Sequence, residues 1–265
     1  MLNAMTTPVS QAPVFYALAQ IKFNRIEQMA SFVGPLQDAL RRQGYPDFRE
    51  DHQLHMQVTP GPQVDVQRQE VKRWVFTDQE RQEGFILLKD ALIFQTARYS
   101  RFTDFKDTVL KGLGALHGEV ELAYVDRIGL RYLDAVIPSE AYPLERLLSP
   151  GLIGLCRGVA GQPRHTVTET VSAIGGGTLV VRTLISPQGV VLPPDLQPMS
   201  LNLDARIPAS QGQETAVLDS DYFVERRETF DSQSVERQLD ISHDVIIEAF
   251  ERATTEQART QLWQL

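Results

Sequence analysis

The chain has 265 residues, 42% of them hydrophobic, with 17 glycines and a single cysteine. Its 26 basic side chains against 34 acidic ones leave a formal charge of −8. That profile excludes a disordered, collagen-like, disulfide-built or helical membrane-spanning chain, and it opposes nucleic-acid phosphate at long range.

The first twelve residues are short, polar and uncharged, so they read as a flexible lead-in and not as a signal peptide. With one cysteine, Cys156, and no leader, a cytoplasmic setting without a membrane partner is expected. Val14 to Phe23 is rich in aromatic and β-branched residues and predicts a strand. Ile26, Met29, Ala30, Val33, Leu36, Ala39 and Leu40 recur at helical spacing, with Gly34-Pro35 as a kink or restart and Gly44 and Pro46 as the stop.

Asp47 to Gln69 is polar and predicts a loop around a short strand at Leu54–Val58. Glu70–Thr77 and Gly84–Thr96 predict two strands joined as a hairpin, with Lys89-Asp90 as a further turn inside the longer one. Phe102, Phe105, Val109, Leu110, Leu113 and Leu116 form a helical stripe that ends near Gly118, and Glu121–Ile137 predicts a long strand.

The order to this point is β-α-β-β-α-β, that of a ferredoxin-like unit spanning 13–137. Two helices would cover one face of its sheet, and the second half of the chain would cover the other. Residues 138–163 form a connection with a short helical segment at Leu144–Leu148. Beyond it, 164–265 reads as an antiparallel β-meander with C-terminal helices. Its strands are Arg164–Ile174, Thr178–Ser186, Met199–Ile207 and Ala216–Phe230. Gly175-Gly176-Gly177 predicts a hairpin turn, because glycine accepts positive φ. Ser242 is a potential cap for a helix carrying Val245, Ile246, Ala249 and Phe250, and Thr254 with Gln257 has capping-box spacing for a last short helix. The expected fold is α+β: a ferredoxin-like βαββαβ half followed by a β-meander half packed on it.

Four segments carry a family resemblance: PVFYALAQIKF, the pair RWVFTDQ and LIFQTARYSRFTDF, the strand RIGLRYLD (Arg127 to Asp134), and LDISHDVIIEAFERATTEQAR (Leu239 to Arg259). Together they resemble a sporadically distributed prokaryotic family of uncharacterised proteins of about this length. The resemblance spans nearly the whole chain and implies a prokaryotic origin. It also implies the patchy distribution of accessory genes, such as neighbours of defence or toxin-antitoxin systems. It implies no catalytic residue.

Several groups could carry chemistry. His52 and His55, with two residues between them, could be half a metal site, but strand alternation would turn their rings to opposite faces, and no zinc spacing completes the set. Cys156 lies in the apolar GLIGLCRG, which suits a small buried hydrophobe better than a nucleophile. Gly175–Gly177 lacks the following helix that a phosphate cradle needs. His243-Asp244 reads as local helix electrostatics. No nucleophile elbow, phosphate-binding loop or paired-carboxylate spacing occurs, so neither a metal nor a cofactor is expected.

The strand 121–137 is the most informative. Period-two alternation puts Arg127, Gly129 and Arg131 on one face, two guanidiniums around a residue that permits close approach. Such a pair suits a carboxylate or phosphate, with Arg98 and Tyr99 as neighbours. The simpler alternative is pairing with acidic residues on an adjacent strand, such as Glu225 or Asp90. The strand at 221–230 carries mixed charge on both faces and reads as an edge, where partners pair. The functional expectation is therefore a non-catalytic protein-interaction or accessory subunit, with a protein partner or self-association. The alternative is a binder or hydrolase of a small anionic ligand that uses Arg127 and Arg131. RNA binding is disfavoured, because the stacking-aromatic signature is missing and the charge is adverse.

Overall fold

A computed structural model describes residues 12–59, 65–155, 158, 161, 164–197 and 199–265, with the side chains of 53–70 left aside. The expected lead-in and Cys156 lie outside the described residues.

Strand β1 (Val14–Phe23) leads into helix α1 (Met29–Arg42), which runs through Pro35 as one element. Four strands follow: β2 (Asp47–Thr59), β3 (Asp65–Thr77), β4 (Glu83–Leu87) and β5 (Ala91–Thr96). Helix α2 (Phe102–Val120) then leads to strand β6 (Tyr124–Val136). After the short helices α3 (Leu144–Leu147) and α4 (Pro150–Ile153) come β7 (Thr166–Ile174) and β8 (Gly177–Ser186). A 3-10 turn (Pro194–Leu196), α5 (Arg206–Ala209), β9 (Thr215–Thr229), α6 (Ser232–Ala253) and a π-helical turn (Ala258–Trp263) complete the chain.

All nine strands belong to one antiparallel sheet in the order β2-β3-β4-β5-β1-β6-β9-β8-β7. This corrects the expected ferredoxin-like βαββαβ half followed by a separate meander, although helices with an antiparallel sheet remain α+β in the broad sense. Two physical reasons account for the difference. The segment between α1 and α2 holds four strands, because the polar 47–69 stretch pairs residue for residue with β3. Its signal is cross-strand charge (Lys72 on Glu50, Arg73 on Asp51) instead of apolar alternation. Secondly, the later strands do not pack over the earlier ones. β9 hydrogen-bonds along the whole free edge of β6 and so widens the same sheet.

From Tyr16 onward, past a register shift at its start, alternation sorts β1 cleanly. Ala17, Ala19, Ile21 and Phe23 lie under the helices in the main core with Leu36 and Leu40 of α1, Val109 and Leu113 of α2, and Val235, Leu239 and Ile246 of α6. Tyr16, Leu18 and Gln20 point to the other face. A second cluster joins α3, α4 and the end of α6 to β8 and β9 through Leu147, Phe250 and Trp263.

The opposite face is covered only in part. Residues 187–197 and 199–213 cross it as a strap, and Leu201, Ile207, Leu192 and Leu203 pack on Phe15, Leu133, Ala135 and Val217. The expected strand Met199–Ile207 is part of this strap. Its alternating apolar residues meet a sheet face whose backbone bonds are already made, so they pack and do not pair. Arg206 ties the strap down by donating to the carbonyls of Ala12 and Val14.

The β7–β8 turn follows the expected glycine chemistry. Ile174 pairs with Gly177, leaving Gly175 (φ +57°) and Gly176 (φ +82°) as a two-residue hairpin loop. The last long helix begins earlier than expected. Asp231 caps it by accepting from the Gln233 and Ser234 amides, and Ser242 lies buried mid-helix, its hydroxyl donating to the Gln238 carbonyl. Among the described residues, no helix is long and apolar enough to cross a membrane.

Candidate ligand-binding cleft

Beyond the strap, the uncovered part of the sheet face holds a cleft of about 350 Å³. Its floor comes from β1 and β6 (Leu18, Gln20, Gly129), with Ile86 of β4 and Ile93 of β5 on one side and Asp221 of β9 on the other. The strap closes one end with Asp195, Leu196, Gln197 and Ser200, and Arg73 of β3 adds a cation. Arg73 is engaged by Asp51, its cross-strand neighbour.

The two expected arginines both reach this cleft, but their states differ. Arg131 is 6% exposed, and its three nitrogens are all committed. Nε and Nη2 donate to the two oxygens of Asp219, each at 2.7 Å, in the bidentate fork that suits guanidinium and carboxylate. Nη1 donates to Asp195 of the strap. Burial works against the charge, yet the bonds to Asp219 and Asp195 outweigh it and raise the Arg131 pKa. Burial likewise opposes ionisation of Asp195, but Arg131 holds its carboxyl below the ordinary value. Arg131 is therefore a structural clamp between β6, β9 and the strap.

Arg127 stands otherwise. Its Nη1 donates to Gln20, and its guanidinium carbon lies 4.2 Å from the centre of the Phe223 ring. The Nε is buried with no hydrogen-bond acceptor, and Glu225 Oε1 is 3.8 Å away, too far for a bond. Gly129 lies beneath this guanidinium: a Cβ there would be in ordinary contact, 3.4 Å from Phe223 Cβ and 3.7 Å from Arg127 Nη2.

Asp221 completes the polar set. It faces Arg131 across the β6–β9 ladder and is half-buried, and no described residue donates a hydrogen bond to its carboxylate. Burial raises its pKa despite the opposing charges of Arg131 and Arg127. On the far wall Tyr16 donates to Gln95 at 2.7 Å, and Gln95 in turn donates to Ser200. Burial pushes the Tyr16 phenol up, so it remains a neutral donor.

Arg98 and Tyr99 are not brought to this site. Arg98 pairs with Glu83 at 2.7 Å and Asp78 at 3.4 Å near the β3–β4 turn. Tyr99 lies on the helix face, 3.3 Å from the Tyr132 hydroxyl, which is 3.1 Å from His243 Nδ1. His243 stacks on Phe102 at 3.9 Å, and burial lowers its pKa. His243-Asp244 thus sits mid-helix in a packed aromatic group. Of the histidine pair, His52 is exposed on β2, and the His55 side chain lies outside the described residues. Among the described residues, no group of three or more His, Cys, Asp or Glu is placed to hold a metal ion.

Sequence reasoning missed Gln20, Phe223, Asp219, Asp221 and Asp195 as site residues. The run Asp219-Ser-Asp221 carried a signal: two acids two apart on a strand share a face, as the arginines of β6 do. Asp195 sits in an irregular strap and left no periodic trace. No family model matches the chain, and a comparison with curated proteins gives no match.

Proposed function

We propose that this chain is a non-catalytic binding protein whose cleft takes the carboxylate or phosphate of a small ligand on Arg127. One observation supports the reading most. On a single strand, Arg131 is saturated by two carboxylates, whereas Arg127 makes one hydrogen bond, to Gln20, has Glu225 at 3.8 Å, and faces the cleft. A guanidinium with donors to spare on its cleft side can take a carboxylate or phosphate by charge-assisted hydrogen bonds. Thermal denaturation with benzoate, inorganic phosphate and nucleoside monophosphates tests the reading. At least one should raise the melting temperature of wild type and leave Arg127→Gln unmoved, because a ligand stabilises the state it binds. Equal shifts in both proteins, or none in either, would remove it.

A second reading, association through an added strand at β7, is favoured by the exposed edge. β7 pairs only with β8, and Val167 and Val171 are 57% and 59% exposed on it. Its one acid, Glu169, is bound by Arg182. The opposite edge, β2, is guarded by Asp47, Arg49, Glu50 and Asp51. The occupant is the same strand of a second copy, paired edge to edge. Sedimentation should show self-association that Val171→Lys abolishes; a wild-type chain that stays monomeric at high concentration refutes it.

A further inference from the structure

We infer that the cleft is built for a small zwitterion with an apolar arm, of the α-amino-acid class: its anionic group on Arg127, its ammonium on Asp221. The inference rests on the reading of Arg127 given above and extends it to the other half of the ligand.

Most charged side chains of the cleft are already engaged. Arg131 and Asp219 satisfy each other, Asp195 is taken by Arg131, and Arg73 is taken by Asp51. Two groups in the cleft remain short of partners. Arg127 spends one nitrogen on Gln20 and has Glu225 as an ion-pair neighbour at 3.8 Å, and Asp221 lacks a donor among the described residues. They carry opposite charges, yet they do not bond each other. The Arg127 guanidinium folds over the Gly129–Phe223 pair, and Asp221 belongs to the next pair on the same face, Arg131–Asp221. Successive same-face pairs are separated by two residues of strand rise, about 7 Å. Two hydrogen bonds of about 2.8 Å and the roughly 2.7 Å between the nitrogen and oxygen of an α-amino acid total about 8 Å, so such a ligand bridges the groups along a slightly bent path.

A singly charged ligand fits less well. A lone anion on Arg127 would leave Asp221 undonated and add a negative charge beside it. A lone amine on Asp221 would leave the cleft-facing side of the Arg127 guanidinium unused. The rest of the cleft sets the third feature. On the side of the floor away from Asp221, Leu18, Ile86 and Ile93 present apolar surface. A ligand whose charged ends sit over β6 and β9 therefore projects its side chain towards β4 and β5. The cavity, about 350 Å³, is at the small end of the range for ligand sites, which suits a single amino acid better than a nucleotide.

Calorimetric titration of the full chain tests this with matched triples: phenylalanine, 3-phenylpropionate and phenethylamine; leucine, 4-methylpentanoate and 3-methylbutylamine. In at least one triple the zwitterion should bind at least about tenfold tighter than either singly charged analogue. Arg127→Gln should lower its affinity to that of the amine, and Asp221→Asn to that of the acid. Circular dichroism and melting of both variants verify that they are folded. Should the acids bind through Arg127 while Asp221→Asn leaves the zwitterion unaffected, the zwitterion inference falls and the anion reading stands. If neither acids nor zwitterions bind, or only amines do, both fall.

Discussion

On the helix face of the sheet, α1, α2 and α6 lie over an apolar layer that runs from Trp74 through Phe85, Phe94 and Leu130 to Leu179. On the opposite face the strap covers only the ends of β1, β6 and β9, and polar side chains take over where it stops. Both faces are drawn from the same strands by simple alternation, so composition cannot separate them. What separates them is cover. A fully covered face tolerates apolar residues and tolerates charge poorly; a half-covered face can hold charges within reach of both protein and solvent. The cleft lies at that boundary.

Strand β6 carries both regimes, and its variants sharpen the contrast. The largest effect is expected from Asp134. Alternation places it on the helix face with Tyr132 and Val136, where burial, opposed only by Arg206, pushes its carboxyl up to about 8. The folded chain then keeps a proton that the unfolded chain releases near its ordinary value of 3.8. Stability is full at acid pH and falls as pH rises towards 8, by on the order of 5 kcal/mol in all. Melting curves from pH 5 to pH 9 should show this decline, and Asp134→Asn should flatten it. A wild-type profile as flat as the variant's would contradict the buried assignment.

Next comes the clamp. Arg131→Met leaves the buried Asp219 with only Arg182, at 3.6 Å, and should cost about 3 kcal/mol in urea denaturation. A loss below about 1 kcal/mol would show that the bidentate pair is dispensable. Smaller still is the helix side: Asp231→Ala removes the α6 cap and should cost about 1 kcal/mol. Smallest is Arg127→Gln, within about 1 kcal/mol of wild type, since its group is held by one bond and a ring. If Arg127→Gln destabilised as much as Arg131→Met, the two arginines would share one structural role and the distinction between them would collapse.

Much of β6 was legible in advance. Period-two alternation alone set Arg127, Gly129 and Arg131 on one face, and the glycine hairpin before β8 followed from backbone freedom. The partners were not legible, because they come from far along the chain: Asp219 is 88 residues from Arg131, and Asp195 is 64 away. Glu225, an expected partner, does pair with Arg127 across the ladder, as an ion pair at 3.8 Å. Two elements misled for opposite reasons. The β2–β3 hairpin looked like loop because charge pairs and not apolar residues mark its faces. Met199–Ile207 looked like strand because an apolar alternation that packs flat on a sheet face resembles one that pairs at an edge. Topology failed at the widest step: nothing local says whether later strands will cover a sheet or extend it.

The seam between β6 and β9 also has a consequence in time. Hairpins β2–β3, β3–β4, β4–β5 and β7–β8 join neighbours in sequence and can close early, whereas β6–β9 must first bring together segments as distant as Arg131 and Asp219. Closing so long a loop carries the larger entropic penalty and belongs to the late, slow part of folding. Bonds made only after that closure act mainly on the rate at which the chain opens. The Arg131 clamp, which ties β6 to β9 and to the strap at once, is then a kinetic latch: it governs how long the assembled sheet persists more than how fast it assembles.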